Sequence, residues 1–201
     1  TPHRLETESI RMTHRFDPKN MQRLDNPERR ELLPPSRVLA DMGLSAGHAF
    51  LDIGAGIGYF SLPALEIVGP GGRVAATDVS AEMLEELKRR AGSASPNIEF
   101  LHCPSTRLPL PDGEIDMALM AFVLHEVEDR AGLLAEILRV LKKGGRLAVI
   151  EWKMKEPPPG PPPAERIAPD ETAGLCEKAG LAQVRREAVN AHHYRVLCEK
   201  R

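Results

Sequence analysis

Residues 51–58 read Leu-Asp-Ile-Gly-Ala-Gly-Ile-Gly, an apolar run that ends on three glycines spaced by single residues. Such a run, placed before an amphipathic stretch, marks the point where a strand turns into a crossover helix. In a parallel sheet, the carboxyl end of that strand is where backbone N–H groups and a helix N-terminus converge on a nucleotide-like ligand. Gly54 and Gly56 let the chain turn and let a ligand reach the backbone without a Cβ in between. Pro63 is compatible with a helix starting near Tyr59, because the first turn has no intrahelical acceptors to lose. Asp78 closes the next apolar run, 20 residues after Gly58, where a carboxylate can bind both hydroxyls of a ribose.

From Ala49 to Trp152, short apolar runs alternate with amphipathic stretches, which predicts strands at 49–53, 73–78, 97–102, 115–121 and 146–151 with helices between them. Ser80 is placed to cap a helix bearing Met83, Leu84, Leu87 and Ala91. Asp129 is placed to cap one bearing Leu133, Leu134, Ile137, Leu138 and Leu141, with Gly144 as its stop. Residues 156–163 are mostly proline, too rigid for a helix, and predict a stiff extended loop. A helix over 169–179, stopped by Gly180, precedes two strand-like runs, 182–189 and 192–199, that can pair as a hairpin about Asn190 and Ala191. Residues 1–46, rich in Arg, acids and Pro, read as a helical cover segment lying over a single domain of residues 47–201. At about 150 residues per domain, a chain of 201 fits that division.

The ligand class follows from what flanks the loop. A dinucleotide fingerprint needs a third glycine three residues after the second, and Tyr59 stands there instead. Asp52, just before the loop, suits a cationic amino group better than a pyrophosphate. S-adenosylmethionine has that amino group, a ribose diol and no phosphate. The charge balance, 27 Lys+Arg against 29 Asp+Glu, and an aromatic content of 4% leave no basic, aromatic-studded stripe for nucleic acid. The longest apolar run, Met117 to Leu124, is far short of the roughly 20 residues of a membrane helix, so no membrane insertion is expected. Cys103, Cys176 and Cys198 lack ligand spacing, so neither a disulfide framework nor a metal site is expected. The chain opens on Thr1 without a basic-then-apolar stretch, and a reducing, cytoplasmic location is expected.

The glycine loop, the acid in Thr77-Asp-Val-Ser80, the stretch Leu108-Pro-Leu-Pro-Asp-Gly-Glu-Ile-Asp116 and the stretch Leu138-Arg-Val-Leu-Lys-Lys-Gly-Gly-Arg146 together resemble class I S-adenosylmethionine-dependent methyltransferases. The likeness is strongest to the small-molecule branch that includes the ubiquinone and menaquinone biosynthesis methyltransferases. It implies a Rossmann-like α/β fold: a doubly wound, three-layer αβα arrangement on a seven-stranded sheet, mostly parallel with an antiparallel last strand. It also implies S-adenosylmethionine as cofactor, S-adenosylhomocysteine as product, a small-molecule substrate, and a monomer or homodimer. Position by position, it puts Asp52, Gly54, Ala55 and Gly56 around the methionine part, Asp78 on the ribose, and Val79 and Met83 beside the adenine. The acid this family usually supplies after the third strand is replaced by His102-Cys103-Pro104-Ser105, which leaves Ser105 or a backbone group for the adenine amino group. Ala121 and Phe122 would lie beneath the methionine part, facing the transfer site.

If the acceptor is a hydroxyl or an amine, a proton must leave, and His125 is placed just past the fourth strand to take it. Glu126 beside it reads as a solvated helix-start acid. His14 and Phe16 in the cover segment, and Trp152 and Lys153 at the end of the fifth strand, are candidates for shaping the acceptor pocket. His192 and His193 read as a hairpin pair remote from the crevice. Two other readings compete: a non-catalytic cofactor-binding module of the same fold, and a nicotinamide-dependent oxidoreductase.

Overall fold

The computed structural model describes residues 21, 24–92, 96–103, 106–154 and 160–201. Its seven strands are β1 (Ala49–Ile53), β2 (Arg73–Asp78), β3 (Ile98–His102), β4 (Ile115–Ala121), β5 (Leu141–Trp152), β6 (Leu181–Ala188) and β7 (His193–Lys200). They form one sheet in the order β3-β2-β1-β4-β5-β7-β6. β1 to β5 pair in parallel, and β7 runs antiparallel to both of its neighbours. The order reverses between β1 and β4, the switch point at which such sheets open a crevice for ligands.

Side-chain alternation along β1 separates two cores. Ala49, Leu51 and Ile53 face one layer, with Leu133, Leu134 and Ile137 of α5 (Arg130–Val140) and Ala173 and Cys176 of α6 (Pro169–Lys178). Phe50 faces the other, packed with Leu39 of α2 (Pro35–Met42), Ala64 and Val68 of α3 (Ser61–Val68), and Leu84 and Leu87 of α4 (Ala81–Ala91). These layers on either side of the sheet make the doubly wound αβα arrangement. Both expected caps form: the Ser80 hydroxyl accepts from Met83 N at 3.3 Å and the Asp129 carboxylate from Gly132 N at 2.8 Å. Pro63 falls in the first turn of α3.

Three local expectations are corrected. Helix α5 ends at Val140, because buried Leu141 already pairs with Ile115 in the sheet. Gly144 therefore does not stop the helix; it sits at φ +77° within β5, where the pairing with β4 shifts register. The β6–β7 connection is four residues, 189–192, rather than two. Val189 N donates to His193 O at 3.0 Å, and the Asn190 side-chain oxygen accepts from His192 N and His193 N, so a side chain closes the turn. Of the proline stretch, residues 160–163 are described. Arg166, only 8% exposed, donates to Pro161 O at 2.9 Å and to Lys153 O at 2.7 Å, tying that segment to the end of β5.

The short helix α1 (Pro27–Leu32) is capped by Asn26, whose side-chain oxygen accepts from Arg29 N. It is fixed over the carboxyl edge of the sheet by Tyr59, whose hydroxyl donates to Leu33 O at 2.8 Å.

Candidate active site

A cleft of about 1390 Å³ lies at the switch point, lined by the carboxyl ends of β1, β2, β4 and β5, by α1, and by the β6–β7 turn. Its floor is the glycine loop. Gly54, Gly56 and Gly58 all have positive φ, of 70°, 53° and 92°. A Cβ on Gly54 would fall 2.3 Å from Val123 Cγ2, and one on Gly58 would fall 2.2 Å from Leu87 Cδ1. Only a bare backbone lets the loop pass between β4 and α4. Ala55 N donates to Thr77 O at 2.9 Å, joining the loop to β2.

Two carboxylates bracket this loop. Asp78, at the end of β2, accepts from Gly56 N and Ser80 N, each at 2.8 Å, so it holds the loop while it faces the cleft. Asp52 is 2% exposed and accepts from the Ser61 hydroxyl at 2.5 Å. Burial pushes its carboxyl up to about 7, with the nearby Asp78 charge adding to the rise and the Ser61 hydrogen bond opposing it. Among the described lining residues there are six acids, Glu28, Asp52, Asp78, Glu82, Glu126 and Glu165, and one guanidinium, Arg29. That excess suits a ligand carrying positive charge and not a pyrophosphate, which agrees with Tyr59 in place of a third glycine. The tests that S-adenosylmethionine sets are met by this chain's own groups: a loop with no Cβ in the way, a carboxylate at the end of β2, and an acidic surround for a sulfonium and an amino group.

Val79, Met83, Cys103 and Leu108 also line the cleft. Cys103 is buried, its N donating to Asp78 O at 2.9 Å and its thiol to Arg107 O at 3.2 Å. Ser105, together with His14 and Phe16, lies outside the described residues. The groups grouped as a potential metal site number none among the described residues.

Ala121, at the end of β4, and Phe122 and His125 just beyond it line the cleft. Phe122 is the one non-glycine with positive φ among the described residues, at 62°, held there by its N donating to Ile150 O at 2.8 Å. Backbone strain of this kind persists where the surroundings over-determine it, often beside a functional site. His125 Nδ1 stands 2.8 Å from Glu151 Oε2, and His125 N donates to Glu151 Oε1 at 3.2 Å. Both are buried, at 7% and 1% exposed. Burial alone lowers the imidazole's affinity for a proton; the hydrogen bond and charge of Glu151, with the charges of Glu126 and Glu165, outweigh it and leave the pKa raised. Glu126 is not the solvated acid expected: its side chain is 18% exposed, 3.9 Å from His125 Nε2, and burial pushes it up to about 7 against the pull of His125.

Trp152 lines the same cleft. Its ring stands 5.2 Å from Phe122 and 4.5 Å from His193, and the last two are 4.8 Å apart. Gly160 brings its backbone against the indole, where a Cβ would fall 2.6 Å from Cδ2. The expectation that the two hairpin histidines lie far from the crevice is corrected, since β7 is inserted beside β5 and pairs His193 with Trp152. Lys153 turns away, its N donating to His192 O and its ammonium to Asn190 O, and it does not line the cleft. Sequence reasoning also missed Arg29 and Glu151. Arg29 sits with its guanidinium 4.2 Å over Tyr59 and 5.5 Å from Phe122. Glu151 left one trace, a lone acid directly after the apolar run 147–150.

The comparisons with known proteins agree with this geometry. The model of a methyltransferase domain matches residues 51–149. The ubiquinone/menaquinone biosynthesis C-methyltransferase UbiE of Pseudomonas fluorescens (strain Pf0-1) is 38% identical over 112 residues, 55% of this chain and 44% of that protein, so the match spans less than half of the relative. A crystal structure of a methyltransferase from Sulfolobus solfataricus, described as a putative type 11 enzyme, has a TM-score of 0.68 at 22% identity, covers 89% of this chain and 94% of that one, and shares the fold. The S-adenosylmethionine-dependent methyltransferase from Aquifex aeolicus has a TM-score of 0.87 at 35% identity, covering 92% of this chain and 98% of that one. The protein thus belongs to the class I S-adenosylmethionine-dependent methyltransferases, and S-adenosylmethionine is its cofactor.

Proposed function

We propose that the protein methylates a small-molecule acceptor and that His125 takes up the proton the acceptor loses. The observation that carries this reading is the buried His125–Glu151 pair, 2.8 Å apart, in which His125 lines the cleft with Phe122 and Trp152 and Glu151 stands behind it. S-adenosylmethionine, when bound, supplies an electrophilic methyl group and leaves as S-adenosylhomocysteine. Asp52, the backbone of Gly54, Ala55 and Gly56, and Asp78 would hold it, with Val79 and Met83 beside its adenine. Glu151 accepts from Nδ1–H, fixes the ring's tautomer, and stabilises the imidazolium that forms. Nε2 is then the free lone pair, and it accepts the proton from an acceptor O–H or N–H. The cover segment contributes the rim, since Leu24, Asn26, Arg29 and Leu32 line the cleft. The aromatic wall of Phe122 and Trp152 favours a planar acceptor, and the likeness to ubiquinone/menaquinone biosynthesis C-methyltransferases supports a small one.

The test is transfer of a labelled methyl group from S-adenosylmethionine to a panel of small phenols, amines and thiols, with protein and RNA as further acceptors. Label confined to the macromolecules would overturn the small-molecule reading. For His125→Ala, kcat should fall by about 10² to 10⁴ while cofactor affinity measured by calorimetry stays unchanged. In Glu151→Gln, the acid limb of the pH–rate profile should move to lower pH, because the partner that raises the imidazole's pKa has lost its charge. Full activity of His125→Ala on the true acceptor would return the histidine to the scaffold.

A further inference from the structure

His193 opens β7 and stands edge-on to Trp152 and Phe122, 5% exposed and lining the cleft. Its tautomer is fixed by Asn190. The Asn190 side chain meets two backbone N–H groups, His192 N at 2.8 Å and His193 N at 2.9 Å, and only its oxygen can accept them. Its amide nitrogen must then face Leu32 O at 2.8 Å and His193 Nδ1 at 2.9 Å and donate to both. Nδ1 of His193 is therefore an acceptor, and the ring's single proton sits on Nε2. Burial, together with the charges of Arg29, His192, Lys153 and Arg166, keeps the ring neutral.

Nε2 is buried and has no hydrogen-bond partner. The π faces beside it are weak acceptors at best, and a buried donor without a stronger one calls for an explanation. The cleft that His193 lines supplies one: Arg29 lies there too, 5.5 Å from the same Phe122 ring, a cationic counterpart to His125 and Glu126.

We propose that His193 is a specificity residue, whose Nε2–H donates to a carbonyl or oxyanion oxygen on the acceptor and orients its ring against Trp152 and Phe122. This deepens the reading of a small planar acceptor and rests on it. No proton is transferred at His193; the contact positions the acceptor and stabilises negative charge left on its oxygen.

The probes are 4-nitrophenol and nitrobenzene, which share a ring and a nitro group and differ by the phenolic oxygen, titrated into the protein saturated with S-adenosylhomocysteine. The wild type should bind 4-nitrophenol at least about tenfold more tightly than nitrobenzene. His193→Phe should erase that preference, and His193→Gln, which keeps an N–H near the Nε2 position, should restore most of it, with equal S-adenosylhomocysteine affinity in all three proteins. Independently of any variant, a ¹⁵N spectrum of the wild type should show a neutral His193 with its proton on Nε2. A proton on Nδ1, no preference in the wild type, or a preference that survives His193→Phe would each overturn the assignment. Because none of these readouts involves turnover, they are separable from methyl transfer, and the same titrations in a His125→Ala background remove any hold of the His125 Nε2 on the phenolic O–H.

Discussion

Asp52 is an acid held in a place that works against its charge. Its carboxyl ionises at about 7 in the folded protein and near the ordinary 3.8 in an unfolded chain. Between those values the folded state keeps a proton that the unfolded state has lost, so stability falls as pH rises through that window. The loss is complete above pH 7 and, at about 1.4 kcal/mol per pH unit, comes to about 4 kcal/mol. Asp52→Asn should therefore be more stable than the wild type at pH 8 and no more stable at pH 4, as read by urea unfolding at both values. The same variant should bind S-adenosylmethionine more weakly, since its amide cannot offset the ligand's positive charge. Asp52 and Asp78 were legible because a strand and a loop place them by spacing alone. The partners of His125 and His193 were not. Glu151 lies 26 residues from His125, and they meet only because β4 and β5 are neighbours, with Ala121 opposite Ile150. Arg29 reaches the cleft through a six-residue helix with no buried residue of its own to announce which way it faces.

Among elements, the fit of the glycine loop against α4 carries the most consequence. Gly58 has room for no side chain, because Leu87, fully buried, stands where its Cβ would go. Gly58→Ala should cost about 2 kcal/mol through overpacking and a left-handed backbone, lowering Tm by roughly 4 to 8 °C in calorimetry. In a Leu87→Ala background the clash with Leu87 is gone, so the same change should cost less, leaving the left-handed backbone and the 3.1 Å approach to Leu62 Cγ. Strands were the most legible elements: β1, β2 and β4 stand where the apolar runs put them, because a parallel strand buried on both faces writes a continuous run. Boundaries set by tertiary pairing were less so. Gly144 reads locally as a helix stop, yet Leu141 leaves the helix first because its place opposite Ile115 outweighs another helical turn.

Taken whole, the molecule is nearly neutral, with a net charge of -2, but its cleft is not, with six acids to one guanidinium among the described lining residues, Asp52 and Glu126 adding their charge only as pH rises through about 7. S-adenosylmethionine carries one more positive charge than S-adenosylhomocysteine, so the field of the cleft distinguishes them. From about 0.01 M to about 1 M salt the Debye length shrinks from about 30 to about 3 Å. The Kd for S-adenosylmethionine should rise over that range several-fold more than the Kd for S-adenosylhomocysteine, by calorimetry at fixed pH. Equal salt dependence would mean that the acids act only through direct contacts.

The place of β7 has a further consequence, in the order of assembly. It follows β6 in the chain but lies between β5 and β6 in the sheet. During synthesis, β6 therefore emerges with no strand to pair with and must wait for residues 193–200. The glycine-loop half, β1 to β4, can close before that moment. The wall that carries Trp152 and His193 cannot, and a nascent chain can hold a finished cofactor floor while its acceptor side is still an open edge.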